Sequence, residues 1–263
     1  MIARVPPRDV SVPTPVAALA RGRVLRLVWE NELGGLTFEI SAAADGQFVK
    51  WAPVGSGLDL TAEIARLRWA AAFVRVPDVL DAGADSAGEW LVTAALPGDS
   101  AVSPRWLADP AAAAAAIGHG LRELHDSLPV DDCPFSWQAD DRVKQVLTRG
   151  RHDPTMWHPD HAALTTAEAM RRLRETPPLD RLVVCHGDAC APNTLIDNFG
   201  NCSGHVDLGD LGVADRWADL AIATWSLDWN YGPGWQHVLL DAYGIAPDEK
   251  RISYYRLLWD LSP

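Results

Sequence analysis

Residues 182–207 read LVVCHGDACAPNTLIDNFGNCSGHVD. A β-rich run, LVVC, leads through the loop His186-Gly187-Asp188-Ala189-Cys190-Ala191-Pro192-Asn193 into two further strand-like pieces, TLID and GHVD, with Asn198-Phe199-Gly200-Asn201 as the turn between them. A loop and a hairpin thus carry Asp188, Asn193 and Asp207 in that order. The order suits phosphoryl transfer: an aspartate accepts the proton of an attacking hydroxyl, an asparagine sits on magnesium, and a later aspartate sits on the same metal. Magnesium takes oxygen ligands in octahedral geometry, and one amide with one carboxylate leaves positions for water and phosphate oxygens. A carboxylate within reach of an alcohol can take its proton late in a loose transition state without a strongly raised pKa. Asp188 is therefore the expected base, with Asn193 and Asp207 as the expected metal ligands. Asp and Asn also cap turns routinely, but three residues matching in type and order favour the chemical reading.

N-terminal to this stretch, VLRLVWE at 24–30, LTFEIS at 36–41 and QFVKW at 47–51 read as strands, separated by the turn-forming segments NELGG and AAADG. Residues 59–72 place Leu60, Ile64, Leu67 and Ala71 at helical spacing behind an Asp59 or Thr61 cap. Two more apolar runs, VLDAG and EWLVTAAL, flank the turn at 85–88 and complete an antiparallel sheet of about five strands. Pro97-Gly98 then breaks the pattern, so the expected division is a first lobe of residues 1–97 and a second of 98–263. Lys50 on the third strand and Glu63 on the following helix form a candidate ion pair beneath nucleotide phosphates, against the alternative of two unrelated surface residues. Gly34-Gly35 lacks the spacing of a phosphate-binding glycine loop and reads equally well as a hairpin turn.

From residue 103 the sequence turns helical, with alanines at 111–116 favouring helix by propensity. Residues 131–180 read as a helical insertion with long loops. GVADRWADLAIATWSLDW predicts a helix carrying Val213, Trp217, Leu220, Ala221 and Thr224 on one face, and 248–261 predicts another.

Composition sets the outer limits. The 263 residues are 48% hydrophobic, enough for a sizeable core, and no apolar run of membrane-spanning or signal-peptide length is present, which predicts a cytoplasmic protein. With 35 acidic against 23 basic residues, the formal charge of -12 repels nucleic acid and anionic membranes. Cys133, Cys185, Cys190 and Cys202 lack paired zinc spacing and are expected as reduced thiols, in preference to a metal cluster of Cys185, His186, Asp188 and Cys190.

CHGDACAPNTLID, GHVDLGDLGVADRWADLAIA and YGIAPDEKRISYYRLL resemble signature segments of the aminoglycoside phosphotransferases, and Asp132-Cys133-Pro134-Phe135 echoes another. The resemblance is thinner in the first third, where it rests on FVK, the helix with Glu63 and Trp69, and the strand ending at Pro97. It implies an α+β, bilobal, protein-kinase-like fold, with an N-terminal antiparallel sheet and one helix and a larger, mainly helical C-terminal lobe. By the same likeness Lys50 touches the α- and β-phosphates of ATP or GTP, Phe48 lies against the adenine ring, and the backbone of Ala95 and Leu96 reads the adenine edge. The acceptor implied is a small-molecule hydroxyl, that of an aminoglycoside, and the protein is expected to be a monomer or weak dimer.

The acceptor half departs from the family pattern. Family members acting on a 3'-hydroxyl usually carry an arginine where this chain has Asp210, and acidic residues near the helix that here holds Trp225 and Trp229. A C-terminal acidic pair becomes Trp259-Asp260, and the insertion offers His158 and Asp160. Asp160, Asp210, Trp229 and Asp260 are accordingly the expected acceptor-binding residues. Fewer carboxylates and more tryptophan suit a flatter or less charged compound, so two alternatives stand beside an aminoglycoside kinase: a kinase of another antibiotic, sugar or metabolite, and a nucleotide-binding module without catalysis.

Overall fold

The computed structural model describes residues 10–31, 33–41 and 46–263. Residues 1–9, Glu32 of the NELGG turn and residues 42–45 of the AAADG turn lie outside the described residues. The chain divides into two compact units, one running to Pro97 and including Gly204–Gly209, the other comprising Gly98–Ser203 and Asp210–Pro263. No helix among the described residues is long and apolar enough to cross a membrane.

The first unit is an antiparallel sheet with a helix inserted in its order. Strands β1 (Leu25–Glu30), β2 (Leu36–Ile40), β3 (Gln47–Pro53), β4 (Val79–Ala84) and β5 (Gly88–Ala94) lie in the order β1-β2-β3-β5-β4. Alternation along β3 decides which side chains meet the core: Val49 is fully buried and Trp51 is 5% exposed, and both join Leu36, Phe38, Ile40 and Val92. Phe48 and Lys50 therefore lie on the opposite face of the same strand.

A short helix, α1 (Thr14–Ala20), covers the core side and contributes the buried Val16. Sequence periodicity did not predict it, because a seven-residue VAALA-type segment has little pattern of its own and takes its order from packing. Helix α2 (Leu60–Ala70) starts at Asp59, whose carboxylate accepts from Ala62 N at 2.8 Å. Its buried stripe is Leu60, Glu63, Leu67 and Ala70, so the helix turns an acid inward, and the expected Ala71 is instead its exposed C-terminal cap. The turn at 85–88 forms as expected, with Asp85 Oδ1 accepting from Ala87 N at 2.7 Å and Gly88 N at 3.2 Å.

The second unit is mainly helical. Strand β6 (Asp99–Ser100) and helices α3 (Pro104–Leu107) and α4 (Pro110–Ser127) open it, and α5 (Ala139–Arg149) and α6 (Thr166–Leu173) lie within the insertion. Strand β7 (Leu182–Cys185) precedes the loop quoted above, and β8 (Thr194–Ile196) and β9 (Cys202–His205) form the hairpin. GVAD is not helical as expected. It forms β10 (Gly212–Asp215), paired antiparallel with β7 so that Val213 faces Val184.

Pairing with LVVC satisfies the GVAD backbone, and the helix α7 (Trp217–Tyr231) begins only where Asp215 Oδ1 accepts from Trp217 N at 3.1 Å. From Trp217 to Leu227 every residue of α7 is buried, so it has no polar face in this stretch. Helices α8 (Gln236–Tyr243) and α9 (Glu249–Leu261) complete the unit.

Gly118, in the middle of α4, lets α8 approach closely: a Cβ there would lie 2.3 Å from Leu239 O and 2.9 Å from Ala242 Cβ. Backbone cannot yield as a flexible side chain can. Gly118→Val is therefore expected to destabilise the protein by about 1–3 kcal/mol, read as a lower midpoint in chemical denaturation; an unchanged midpoint would show that the helix contact is dispensable.

Candidate functional site

In the first unit a cation is held between two acids. Lys50 Nζ donates to Glu63 Oε1 at 2.6 Å and to Asp207 Oδ1 at 2.7 Å. Burial alone would lower the lysine pKa, but the charges of Asp207 and Glu63 and the hydrogen bonds to both outweigh it, and the net direction is upward. Glu63 is 5% exposed, and as the inward acid of α2 it takes its counter-charge from the outward face of β3. Asp207 has a φ of 65°, a left-handed backbone that a non-glycine residue holds only when its surroundings impose it. Phe48 lies two residues before Lys50 on the same face of β3. The Ala95 N–H donates to Gly46 O at 2.8 Å and ties the segment after β5 to the start of β3.

In the second unit the loop after β7 is fixed by its backbone. Asp219 of α7, fully buried, accepts from His186 N at 2.6 Å and Gly187 N at 2.9 Å. His125 Nε2 lies 2.9 Å from Asp219 Oδ2, and its Nδ1 lies 2.9 Å from the Tyr243 hydroxyl. Burial pushes the Asp219 pKa up, but the hydrogen bond and charge of His125 and the loop N–H groups outweigh this and hold it below the ordinary value. Gly187 has a φ of +86°, and a Cβ there would lie 2.2 Å from Asp210 O, so only glycine fits.

Beyond Gly187 the loop presents Asp188. Its Oδ1 accepts from Cys190 Sγ at 3.0 Å, and Asn193 Nδ2 reaches its Oδ2 at 3.2 Å and its backbone O at 3.0 Å. With both amide contacts made through nitrogen, Asn193 Oδ1 is turned away from the aspartate, an oxygen of the type that magnesium takes. Burial, then the Asp188 charge, raises the Cys190 pKa well above the ordinary value, so the thiol stays protonated and donates. Ser226 Oγ accepts from Ala191 N at 2.9 Å and ties the loop again to α7.

All four cysteines are free thiols. Ligand atoms of His125, Cys185 and Asp219 lie within 4.8 Å of one another. Both His125 nitrogens and both Asp219 oxygens are already hydrogen-bonded, and burial keeps the Cys185 thiol protonated, so the trio serves as a polar core under the loop.

The residues expected to meet the acceptor are less alike than their sequence positions imply. Asp160 is exposed, with Oδ2 accepting from Trp225 Nε1 at 3.0 Å. Asp210 Oδ1 is paired with Arg142 at 3.0 Å, a cation that the sequence reading did not anticipate. Trp229 packs at a tilt against Trp225 and Trp259, at centroid distances of 4.9 and 5.8 Å, in a three-ring cluster. Asp260 differs from expectation: it is 5% exposed and its carboxylate accepts from His158 N at 3.0 Å and meets His161 Nδ1 at 2.6 Å. Its hydrogen bonds hold the 158–161 segment, and that segment, not the Asp260 carboxylate, reaches the surface.

Asp219, His125 and Ser226 were not among the expected site residues. The available signal was an acid set in the apolar run WADLAIA at the start of the helix, since burying a carboxylate is costly unless something binds it. Because the Asp219 pKa is depressed, its stabilising contribution is present above the ordinary carboxylate pKa and lost as pH falls through the folded value. Asp219→Asn should cost about 3 kcal/mol at neutral pH, and the gap to wild type in denaturation free energy should shrink below about pH 4. A gap independent of pH would refute this account.

Comparison with known proteins follows the same lines. Residues 34–255 match the phosphotransferase enzyme family. The chain is 34% identical to an aminoglycoside 3'-phosphotransferase of Streptomyces fradiae, over 87% of this chain and 91% of that protein. Its structure is similar to the crystal structure of an aminoglycoside-3'-phosphotransferase of type VIII, with a TM-score of 0.79, 30% identity and coverage of 92% and 96%. It is also similar to aminoglycoside phosphotransferase APH(3'')-Id from Streptomyces rimosus, solved in complex with ADP and streptomycin, with a TM-score of 0.66, 29% identity and coverage of 85% and 88%. These matches agree with the α+β, kinase-like fold expected from the sequence. The chain belongs to the phosphotransferase enzyme family.

Proposed function

We propose that this protein transfers the γ-phosphoryl group of ATP to a hydroxyl of an aminoglycoside, and so confers resistance by modifying the antibiotic in the cytoplasm. The observation that carries the proposal is the geometry around Asp188: one carboxylate oxygen takes the Cys190 thiol and the other the Asn193 amide, on a loop anchored to Asp219. A thiol is a weak donor, so Asp188 is oriented without losing much of its ability to accept a proton. Asp188 is the base that takes the acceptor hydroxyl proton as the oxygen–phosphorus bond forms and the ADP oxygen departs.

Asn193 Oδ1 and Asp207 would hold magnesium, which when bound neutralises charge on the β- and γ-phosphates. Lys50, kept protonated by Glu63 and Asp207, supplies a fixed cation for the α- and β-phosphates. Phe48 lies against the adenine, and the Ala95 carbonyl and Leu96 amide read its edge. Asp160, Asp210 and Trp229 meet the acceptor, while Asp260 acts through the segment it holds.

Incubation with ATP, magnesium and aminoglycosides should release ADP in step with a one-phosphate mass gain on the antibiotic. Turnover of none of them would reject the acceptor. Asp188→Ala should lower kcat by about 10²–10⁴-fold while nucleotide affinity, measured by calorimetry, stays near wild type; retained kcat would remove Asp188 from its role. Lys50→Ala should act in the opposite manner on binding, raising the KM for ATP, and an unaltered KM would detach the Lys50 pair from the phosphates.

A further inference from the structure

Most of the carboxylates that the acceptor half offers already have partners within the protein. Asp260 is taken by His158 and His161, and Asp210 by Arg142. Asp160 and Asp228 are the acids beside the tryptophan cluster. Asp160 Oδ1 accepts no hydrogen bond among the described residues, and Asp228, which accepts from Gln236 Nε2 at 2.6 Å through Oδ2, has a buried Oδ1 with no partner. Burial, and the neighbouring charge of Asp160, push the Asp228 pKa upward, opposed by the charge of Arg256 and the Gln236 hydrogen bond.

Beside these acids stand Trp225, Trp229 and Trp259, with centroid separations of 4.9, 5.8 and 6.3 Å, and His158, whose ring lies 4.3 Å from Trp225 and 5.7 Å from Trp229. Trp225 is 1% exposed and belongs to the core, whereas Trp229 and Trp259 are half-buried. Trp229 Nε1 is a second buried polar atom without a partner. Asp228 Oδ1 and Trp229 Nε1 thus leave hydrogen-bonding capacity beside the cluster that the chain itself does not use. One cation of the protein already packs on the buried member of the cluster: the Arg256 guanidinium lies 5.6 Å from the Trp225 ring centroid and makes no ion pair within 4.0 Å among the described residues.

We infer that the half-buried faces of Trp229 and Trp259, with Asp160 and Asp228, form a subsite for a guanidinium group of the acceptor; the inference rests on the aminoglycoside reading above. A guanidinium is planar and weakly hydrated, stacks on indole and offers a fork of N–H donors to a carboxylate. An ammonium is compact and strongly hydrated, and giving up that water needs several oxygen acceptors, which the pairing of Asp210 and Asp260 removes. Two acids facing one resident arginine leave a single negative charge, enough for one planar cation and too little for a cluster of amines. The subsite thus selects guanidinium-bearing aminoglycosides over those whose cations are all primary amines.

The test uses the full-length protein with streptomycin, whose cyclitol carries guanidinium groups, and kanamycin, whose cations are all amines. Streptomycin should have the higher kcat/KM. Asp160→Asn and Trp229→Leu should each raise the KM for streptomycin roughly tenfold, well beyond their effect on the KM for kanamycin. A preference for kanamycin, or variants that alter both KM values alike, would overturn the subsite.

Titration with streptidine, the isolated guanidinium cyclitol, followed by tryptophan fluorescence, separates the two levels of the argument. Guanidinium-selective quenching that is lost in Trp229→Leu, in a protein that phosphorylates neither antibiotic, would reject the acceptor reading and support the subsite. Quenching by neither streptidine nor streptomycin would reject the subsite even if both antibiotics were phosphorylated.

Discussion

A single buried carboxylate organises the second unit. Asp219 sits in the stretch of α7 that is buried on every side, where an unpaired charge would be prohibitive, and it survives there because two loop amides and His125 surround it. The dependence is mutual: without the acid, the His186 and Gly187 amides would be buried donors lacking an acceptor, and the loop could not hold its left-handed turn. Tyr243 extends the same chain of hydrogen bonds to α8, which Gly118 allows to lie close against α4. The position of Asp188 is thus set by residues distant in sequence, none of which is expected to touch a substrate.

The first unit solves a different electrostatic problem with the same economy of means. Strand alternation sends Val49 and Trp51 into the core and leaves Lys50 on the other face, where α2 turns Glu63 inward to meet it. Asp207 arrives with the segment Gly204–Gly209, which is far along the chain yet belongs to this unit. Its left-handed backbone is the local strain that accompanies that placement.

Much of this was legible in the sequence because it is local. The loop-and-hairpin of 182–207, the alternating strands, the Asp59 cap and the Lys50–Glu63 pair all follow from spacing within one or two elements. What escaped depends on contacts made at long range. GVAD has helical neighbours and becomes a strand because β7 needs a partner, and α1 is ordered only by the core it covers. Arg142 was missed because nothing near it in the sequence foretells Asp210, 68 residues away. Asp260 was expected to meet the acceptor and is a buried anchor, held by His158 and His161, which lie about 100 residues upstream.

The bridge from Lys50 to two acids also sets how much freedom that side chain has left. A long amine that would otherwise sample many rotamers is tethered at its tip to Glu63 of α2 and to Asp207. The entropy of ordering it is met during folding, so the strand face carries a cation whose position is already chosen.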